Sequence, residues 1–413
     1  MQIDPVMLNQ VIQTTIAISP IMLAICLFFI FWPLWVRYVR AENFFKEKYV
    51  LLEIKLPKET VKSPAAMELF LTALHQTGGE ATFIDKYWNG KVRAWFSLEM
   101  VSIEGQVHFF IWTRAGLRNF LESSLYAQFP GIEVHEAPDD YAKSVHYDPK
   151  EMAMWGCEFK YAKKNPYPIK TYVDYGLDKD PKEEYKVDPL APLLEFLGSM
   201  GANQQMWIQI IIRAHKDDAR KPGHLFKMHD TYKVDAEAEI NKLLMRDPKT
   251  KGSAAVNKEG KPMITTISPG EREIVEAIER AMTKPAYDVG IRGIYMAKKD
   301  FFVGTNIPGL LGSFKQFGSD SLNAIRLNTG VWSPSIGEPW QDYKEIRQNR
   351  MRKFLLEMYK RRSFFFHPYI GTPMVMNSEE VATIFHFPGQ VAATPTLKRI
   401  TSKKGEPPAN LPI

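Results

Sequence analysis

The sequence predicts an α+β protein in which one N-terminal transmembrane helix precedes repeated strand and helix units, with an insertion in the second. Three observations predict it. No charged side chain occurs from Pro5 through Val36. Beyond that run, apolar residues switch between the 3.6-residue period of helices and the two-residue period of strands. Gly, Pro and acidic turn residues then fall between the periodic runs. The chain has 413 residues, 45% hydrophobic and 24% charged, enough for two domains with cores of their own. A formal charge of +6 is mild for this length and lacks the dense basic field of a dedicated nucleic-acid binder. Two cysteines, Cys26 and Cys157, exclude a disulfide framework and a Cys-rich zinc module, and they fit a reducing compartment.

The first element is the membrane segment, residues 15–37, preceded by a short extracytoplasmic stretch, 1–14. At about 1.5 Å of rise per residue, roughly 20 residues cross a hydrocarbon core of about 30 Å. A soluble helix of that length needs a polar face, and this one has none. Ile16, Leu23 and Phe28 lie within the span, Trp32 and Trp35 mark an interfacial belt, and Arg37 and Arg40 follow it. Pro20 and Pro33 are tolerated in a membrane helix. With Lys46 and Lys48 after the helix and only Asp4 before it, the positive-inside bias puts the body in the cytoplasm and the N-terminus outside. No Lys or Arg precedes Arg37 and the apolar run ends in bulky residues, so the pattern is that of a retained single-pass anchor in the inner (cytoplasmic) membrane, not a cleaved signal.

Residues 49–56 read as a strand. Ser63-Pro64 then opens a helix whose Met67, Phe70, Leu71 and Leu74 share one face. Residues 92–101 and 106–113 read as two strands joined by a tight turn at Glu104-Gly105. A second amphipathic helix carries Leu117, Phe120, Leu121 and Leu125, and Pro130-Gly131 ends it before a strand at 132–135. This β-α-β-β-α-β order over 49–150 is that of a ferredoxin-like unit. A looser copy follows over 151–343: strands at 155–161 and 169–175, a helix at 189–200, a strand at 206–213, and a helix from Ser268 to Met282. A strand at 287–296 continues it. Ser268, Pro269 and Glu271 form a helix-start signature, with Ile274, Val275, Ile278 and Met282 as its stripe. Residues 216–268 are an insertion with one short helix. Residues 344–393 hold a basic helix and a closing strand and helix, and 394–413 form a linker-like tail.

The search for chemistry yields no catalytic, cofactor or metal site. Gly260-Lys261-Pro262 has proline where a phosphate-binding loop needs a hydroxyl, and Ala255 stands where its first glycine belongs. Gly309 through Lys315 has the wrong spacing and reads as a turn before a helix. No His pair has the spacing of a helical metal site. His135-Glu136 with Asp139-Asp140, and His215 with Asp217-Asp218, are the dense His/carboxylate groups, and a solvated loop explains both. Cys157 reads as a buried packing residue. One charged stretch has more content. Lys344, Arg347, Arg350, Arg352, Lys353, Lys360, Arg361 and Arg362, interleaved with Phe354, Leu355, Met358 and Tyr359, predict a basic amphipathic helix suited to anionic lipid, nucleic acid or an acidic partner.

Four segments carry a resemblance: LLEIKLPKETVKSPAAMELFLTALH at 51–75, RNFLESSLYAQFPGIEV at 118–134, SPGEREIVEAIERAMTKPAYDVGIRGIYMAKK at 268–299 and NSEEVATIFHFPG at 377–389. Together they resemble the N-terminal, membrane-anchored half of type IV secretion and conjugation ATPases, relatives of the HerA/FtsK motors. The tail at 394–412 resembles the linker to the motor domain, and no phosphate-binding loop is present. The resemblance implies anchoring and docking rather than hydrolysis. The expectation is a non-catalytic membrane adaptor that positions a separately encoded HerA/FtsK-type ATPase, with no cofactor and with self-association left open. The rival expectations are a membrane-bound hydrolase using His215, Asp217 and Asp218, and a DNA-guiding protein using the basic stretch.

Overall fold

The computed structural model describes residues 5–57, 63–178, 187–217, 219–220, 228–246, 267–329 and 339–388. Two compact units divide the chain, Met1–Lys48 with Gly78–Arg93, and Tyr49–Thr77 with Ala94–Ile413. The uncharged run becomes helix α1, Pro5–Lys46, which continues past the expected end at Arg37. Among the described residues this is the one helix long and apolar enough to cross a membrane, and none of its most apolar stretch is buried within the chain.

Strand β1, Tyr49–Lys55, leads to helix α2, Pro64–Leu74. Ser63 caps α2 by accepting from the Ala65 N–H at 3.4 Å, Pro64 takes the first position, and the predicted stripe of Met67, Phe70, Leu71 and Leu74 is buried. The short helix α3, Phe83–Tyr87, belongs to the first unit. Strands β2, Trp95–Ile103, and β3, Gln106–Arg114, form the expected hairpin. Glu104 and Gly105 both take positive φ (52° and 84°), the conformation a two-residue turn needs to match strand twist. Helix α4, Arg118–Gln128, buries Leu121 and Leu125, and strand β4, Glu133–Glu136, follows. A short helix α5, Tyr141–Ser144, precedes strand β5, Met152–Tyr161.

The expected strand at 169–175 is a turn instead. The Asp174 carboxylate accepts from both the N–H and the hydroxyl of Thr171, and the Asp174 N–H returns to the Thr171 carbonyl at 3.0 Å. Local bonds of this kind take up the backbone groups that a strand ladder needs. Helix α6, Ala191–Gly198, and strand β6, Gln204–Ala214, fall where the pattern puts them. Within the insertion, a two-residue pair, β7 Ala219–Arg220 and β8 Met228–His229, precedes helix α7, Thr231–Leu243. Residues 247–266 lie outside the described residues. Helix α8, Pro269–Met282, starts with the predicted reciprocal cap between Ser268 and Glu271 and packs on α7 through Val275 and Ile278 against Ala236 and Ile240. Strand β9, Ala286–Lys298, follows. Gly309 lies inside helix α9, Asn306–Gly312, which corrects the turn expected there. Strand β10, Ile325–Leu327, helix α10, Ile346–Lys360, strand β11, Met374–Asn377, and helix α11, Ser378–Ile384, complete the described elements. The tail at 394–413 lies outside them.

The second unit is built on one antiparallel sheet in the order β10-β5-β9-β6-β2-β3-β1-β4, with β11 paired to the start of β9. One face carries Leu52, Ile54, Leu98, Met100, Ile208, Ile210, Val289 and Ile291 into an apolar core shared with Met67, Leu121, Leu193, Leu310 and Val381 of five helices. At about 25 cal/mol per Å² of apolar surface removed from water, this face is the main source of stability. The other face is covered by α10 and residues 361–371, and it is not wholly apolar.

Candidate membrane and partner interface

In the first unit the predicted anchor residues divide into two groups. Ile16, Leu23 and Phe28 are 64%, 60% and 57% exposed, an arrangement that water penalises and lipid does not. Trp32 and Trp35 are half-buried, because α3 and the residue after it pack on them. Trp32 lies 5.4 Å from the Tyr87 ring, 6.4 Å from Phe83 and 6.3 Å from Trp88, and Trp35 lies 6.4 Å from Trp88. The Trp35 indole N–H donates to the Tyr87 carbonyl at 3.0 Å. Gly90 closes the arrangement: its φ is +62°, and a Cβ there would stand 2.2 Å from the Val39 carbonyl oxygen. Thr82 caps α3, and its hydroxyl and Lys91 hold Asp85, whose carboxyl Lys91 above all keeps down at about 2. Arg37 is exposed and Arg40 half-buried.

In the second unit the basic stretch separates into a surface and a core. Lys344, Arg347, Arg350, Lys353 and Arg361 are exposed, while Arg352 and Lys360 are half-buried, Arg352 bonded to Glu345, Gln348 and Asn349 and Lys360 to Glu357. Leu355, Leu356, Met358 and Tyr359 pack inward. Arg362 corrects the expectation, for it is 1% exposed and belongs to no surface. Its guanidinium grips Glu99 with two bonds, Nε to Oε1 at 3.0 Å and Nη2 to Oε2 at 3.1 Å, and its other edge binds Asp140. Burial opposes its charge, but Glu99 and Asp140 outweigh burial and hold the Arg362 proton more tightly than usual.

Glu99 also accepts from Ser97, Gln209 and Tyr141, so five donor bonds converge on one buried carboxylate. Burial and the Glu99 charge push the Tyr141 and Tyr359 hydroxyls well up, which keeps both protonated as donors. Glu99, Gln209, Arg292 and Glu158 are successive register partners across β2, β6, β9 and β5, a polar row beneath α10. Arg292 is fully buried between Glu158, 3.5 Å away, and the rings of Phe364 and Tyr369. Gly156 and Gly290 flank this row, and Cβ atoms there would strike Leu355 and Phe364 at 2.1 and 2.5 Å. The sequence reading missed this row. Its signal was there, as single polar residues inside otherwise apolar strands: Glu99 in FSLEMV, Gln209 in WIQIII and Arg292 in VGIRGI.

The two His/carboxylate groups do not assemble as sites. Asp217 is exposed, Asp218 lies outside the described residues, and His215 instead bonds distant partners, Asp288 at 2.6 Å through Nδ1 and Asp230 at 3.2 Å through Nε2. Arg213 holds the second Asp288 oxygen, and although burial opposes it, the His215 and Arg213 partners lower the Asp288 carboxyl. With both ring nitrogens turned to carboxylates, His215 presents neither to a substrate. His135 pairs with Glu133, Glu136 with Arg118, and Asp140 with Arg362. Cys157 is buried, and burial raises its thiol far above the range in which it attacks. No group of three His, Cys, Asp or Glu side chains suited to a metal occurs among the described residues.

A family model matches residues 40–399. The chain belongs to that family, the domain of unknown function DUF8128. The DUF8128 match takes in β1 through α11, so the sheet, the buried polar row and the basic face of α10 are all parts of a DUF8128 domain, and the apolar run ending at Val36 precedes it. No curated protein matches the chain.

Proposed function

We propose that this chain is a membrane-tethered adaptor. In this reading α1 anchors it in the inner membrane with the N-terminus outside, and the DUF8128 body presents a basic docking face to a HerA/FtsK-type secretion ATPase in the cytoplasm. The observation that carries the reading is that the chain has both an unburied apolar helix and an exposed cationic surface, made of Arg347, Arg350 and Lys353 on α10 with Lys344 just before the helix and Arg361 just after it. Basic residues fixed on a folded element recognise an acidic surface at modest entropic cost. The body itself reads as two ferredoxin-like units, 49–150 and 151–343, joined edge to edge. Supporting this, β4-β1-β3-β2 and β10-β5-β9-β6 run in the same relative order, and β2 meets β6 at the join. The similarity of residues 51–75, 118–134, 268–299 and 377–389 to the anchored half of conjugation ATPases supports the choice of partner.

The test is a pull-down of the full-length chain from detergent, with and without R347E, R350E, K353E and R361E together. A HerA/FtsK-type ATPase should be recovered with the parent chain and lost with the variant, whose unfolding midpoint should not move because all four side chains are exposed. Recovery that survives charge reversal, or a salt-sensitive gel shift of DNA by the parent that the variant loses, would overturn the docking face as a protein site.

A further inference from the structure

The first unit contains a feature that an anchor helix alone does not require. Phe83, Ile84 and Trp88 are 61%, 62% and 55% exposed, although they belong to a five-residue helix and the residue that follows it. Water makes three adjacent exposed apolar side chains unfavourable, so their surroundings need an explanation. Their position supplies one. The ring of Phe83 lies 6.4 Å from Trp32 and that of Trp88 lies 6.3 Å from Trp32 and 6.4 Å from Trp35, on the part of α1 where the apolar run gives way to Arg37. Trp32 lies five positions before Arg37, which at about 1.5 Å per residue is roughly 7 to 8 Å along the axis. Side chains that stack on Trp32 therefore sit that far to the apolar side of the first arginine, a depth matching the roughly 5 to 10 Å at which interfacial helices bury their apolar face.

The attachment is rigid enough to hold that depth. The Trp35 to Tyr87 hydrogen bond fixes α3 from one side, the close approach of Gly90 to Val39 fixes the chain after it, and Thr82 caps its start. Charge suits the same location. Lys86 reaches over the Tyr87 ring and Lys91 pairs with Asp85, the pattern of aromatic rings with adjacent lysines found at the headgroup level. We propose that residues 83–88 are a second membrane contact, an interfacial foot whose Phe83, Ile84 and Trp88 side chains enter the headgroup and acyl boundary of the bilayer beside α1. The foot restricts tilt and rotation of the anchor, because a rigid lateral contact adds a second point of attachment to the helix. This inference rests on α1 spanning the bilayer, and the experiment separates the two.

The full-length chain is prepared with Cys26→Ser, leaving Cys157 buried and unreactive, and reconstituted into nanodiscs of phosphatidylethanolamine and phosphatidylglycerol. Nitroxide labels are placed singly at Ile84→Cys, Phe83→Cys, Leu23→Cys and Lys143→Cys, and relaxation by oxygen is compared with relaxation by a water-soluble nickel chelate. Leu23 reports the span and Lys143, on the body, reports water. Labels at Phe83 and Ile84 should collide with oxygen as Leu23 does and with the nickel chelate several-fold less often than Lys143. Nickel accessibility at both positions equal to that of Lys143, with Leu23 still shielded, would overturn the foot and leave the span intact. Nickel accessibility at Leu23 would overturn both.

Discussion

Arg362 shows how much a single side chain can decide. Four of its five bonds, two to Glu99 on β2 and two to Asp140 at the cap of α5, tie the end of α10 to those elements, the fifth goes to the Lys360 carbonyl, and its exposure is 1%. Removing one partner of a buried ion pair leaves the others desolvated and uncompensated, at a cost of about 3 to 5 kcal/mol. Arg362→Met is accordingly expected to lower the denaturation midpoint strongly, and adding Glu99→Gln and Asp140→Asn should recover part of the loss; equal stability of the single variant and the parent would refute the network's role. Glu380 gives a pH signature. It is buried, accepts from Tyr161, Ile169 and Asn377, and burial pushes its carboxyl up to about 7 from 4.5. Between those values the folded chain keeps a proton that the unfolded chain releases, so stability falls as the pH rises through that window. The unfolding midpoint of Glu380→Gln should therefore change less between about pH 5 and pH 7 than that of the parent. The His386 and Asp188 pair is common to both chains and cancels in the comparison. Parallel profiles would show that Glu380 does not titrate in this range.

At the scale of elements, local rules account for most starts and turns. Ser63, Ser268 and Asn377 each open a helix with a side-chain oxygen on a free N–H, and Glu104-Gly105 supplies the turn that β2 and β3 need. The strand expected at 169–175 failed because Thr171 and Asp174 compete for the backbone within three residues. Alternation alone does not register that competition. Gly90 makes the sharpest element-level prediction. An alanine there takes a left-handed conformation costing roughly 1 to 2 kcal/mol and places a methyl group against the Val39 carbonyl. Gly90→Ala should free residues 83–91 from α1, seen as several-fold faster tryptic cleavage at Lys86 or Lys91 in detergent, with the unfolding of the sheet unchanged. Unaltered cleavage would mean that the close approach does not hold the segment.

At the scale of the whole molecule, the sheet has two faces of different character. One is an apolar core covered by helices, and the other holds a polar row sealed by α10 and the Phe364 to Phe366 run. Long antiparallel pairing of β2 with β6 and of β6 with β9 makes one continuous sheet of the second unit. The proposed docking face rests on this sheet, so the charge reversal on and just after α10 tests recognition without disturbing the fold, while the proposed span is tested separately by the shielding of Leu23.

What the sequence determined alone is whatever depends on neighbours along the chain: the apolar run of α1, the amphipathic stripes of α2 and α8, the caps, and the hairpin at Glu104-Gly105. What only the tertiary structure decided depends on residues far apart. Arg362 looked like one more surface cation, and its distance from Glu99 along the chain hid the pair; His215 sat beside Asp217 in sequence yet bonds Asp288 and Asp230. The physical reason is that period and composition record which side of an element faces away from water, whereas the partner of a buried charge is chosen by whichever strand or helix the fold brings across from it.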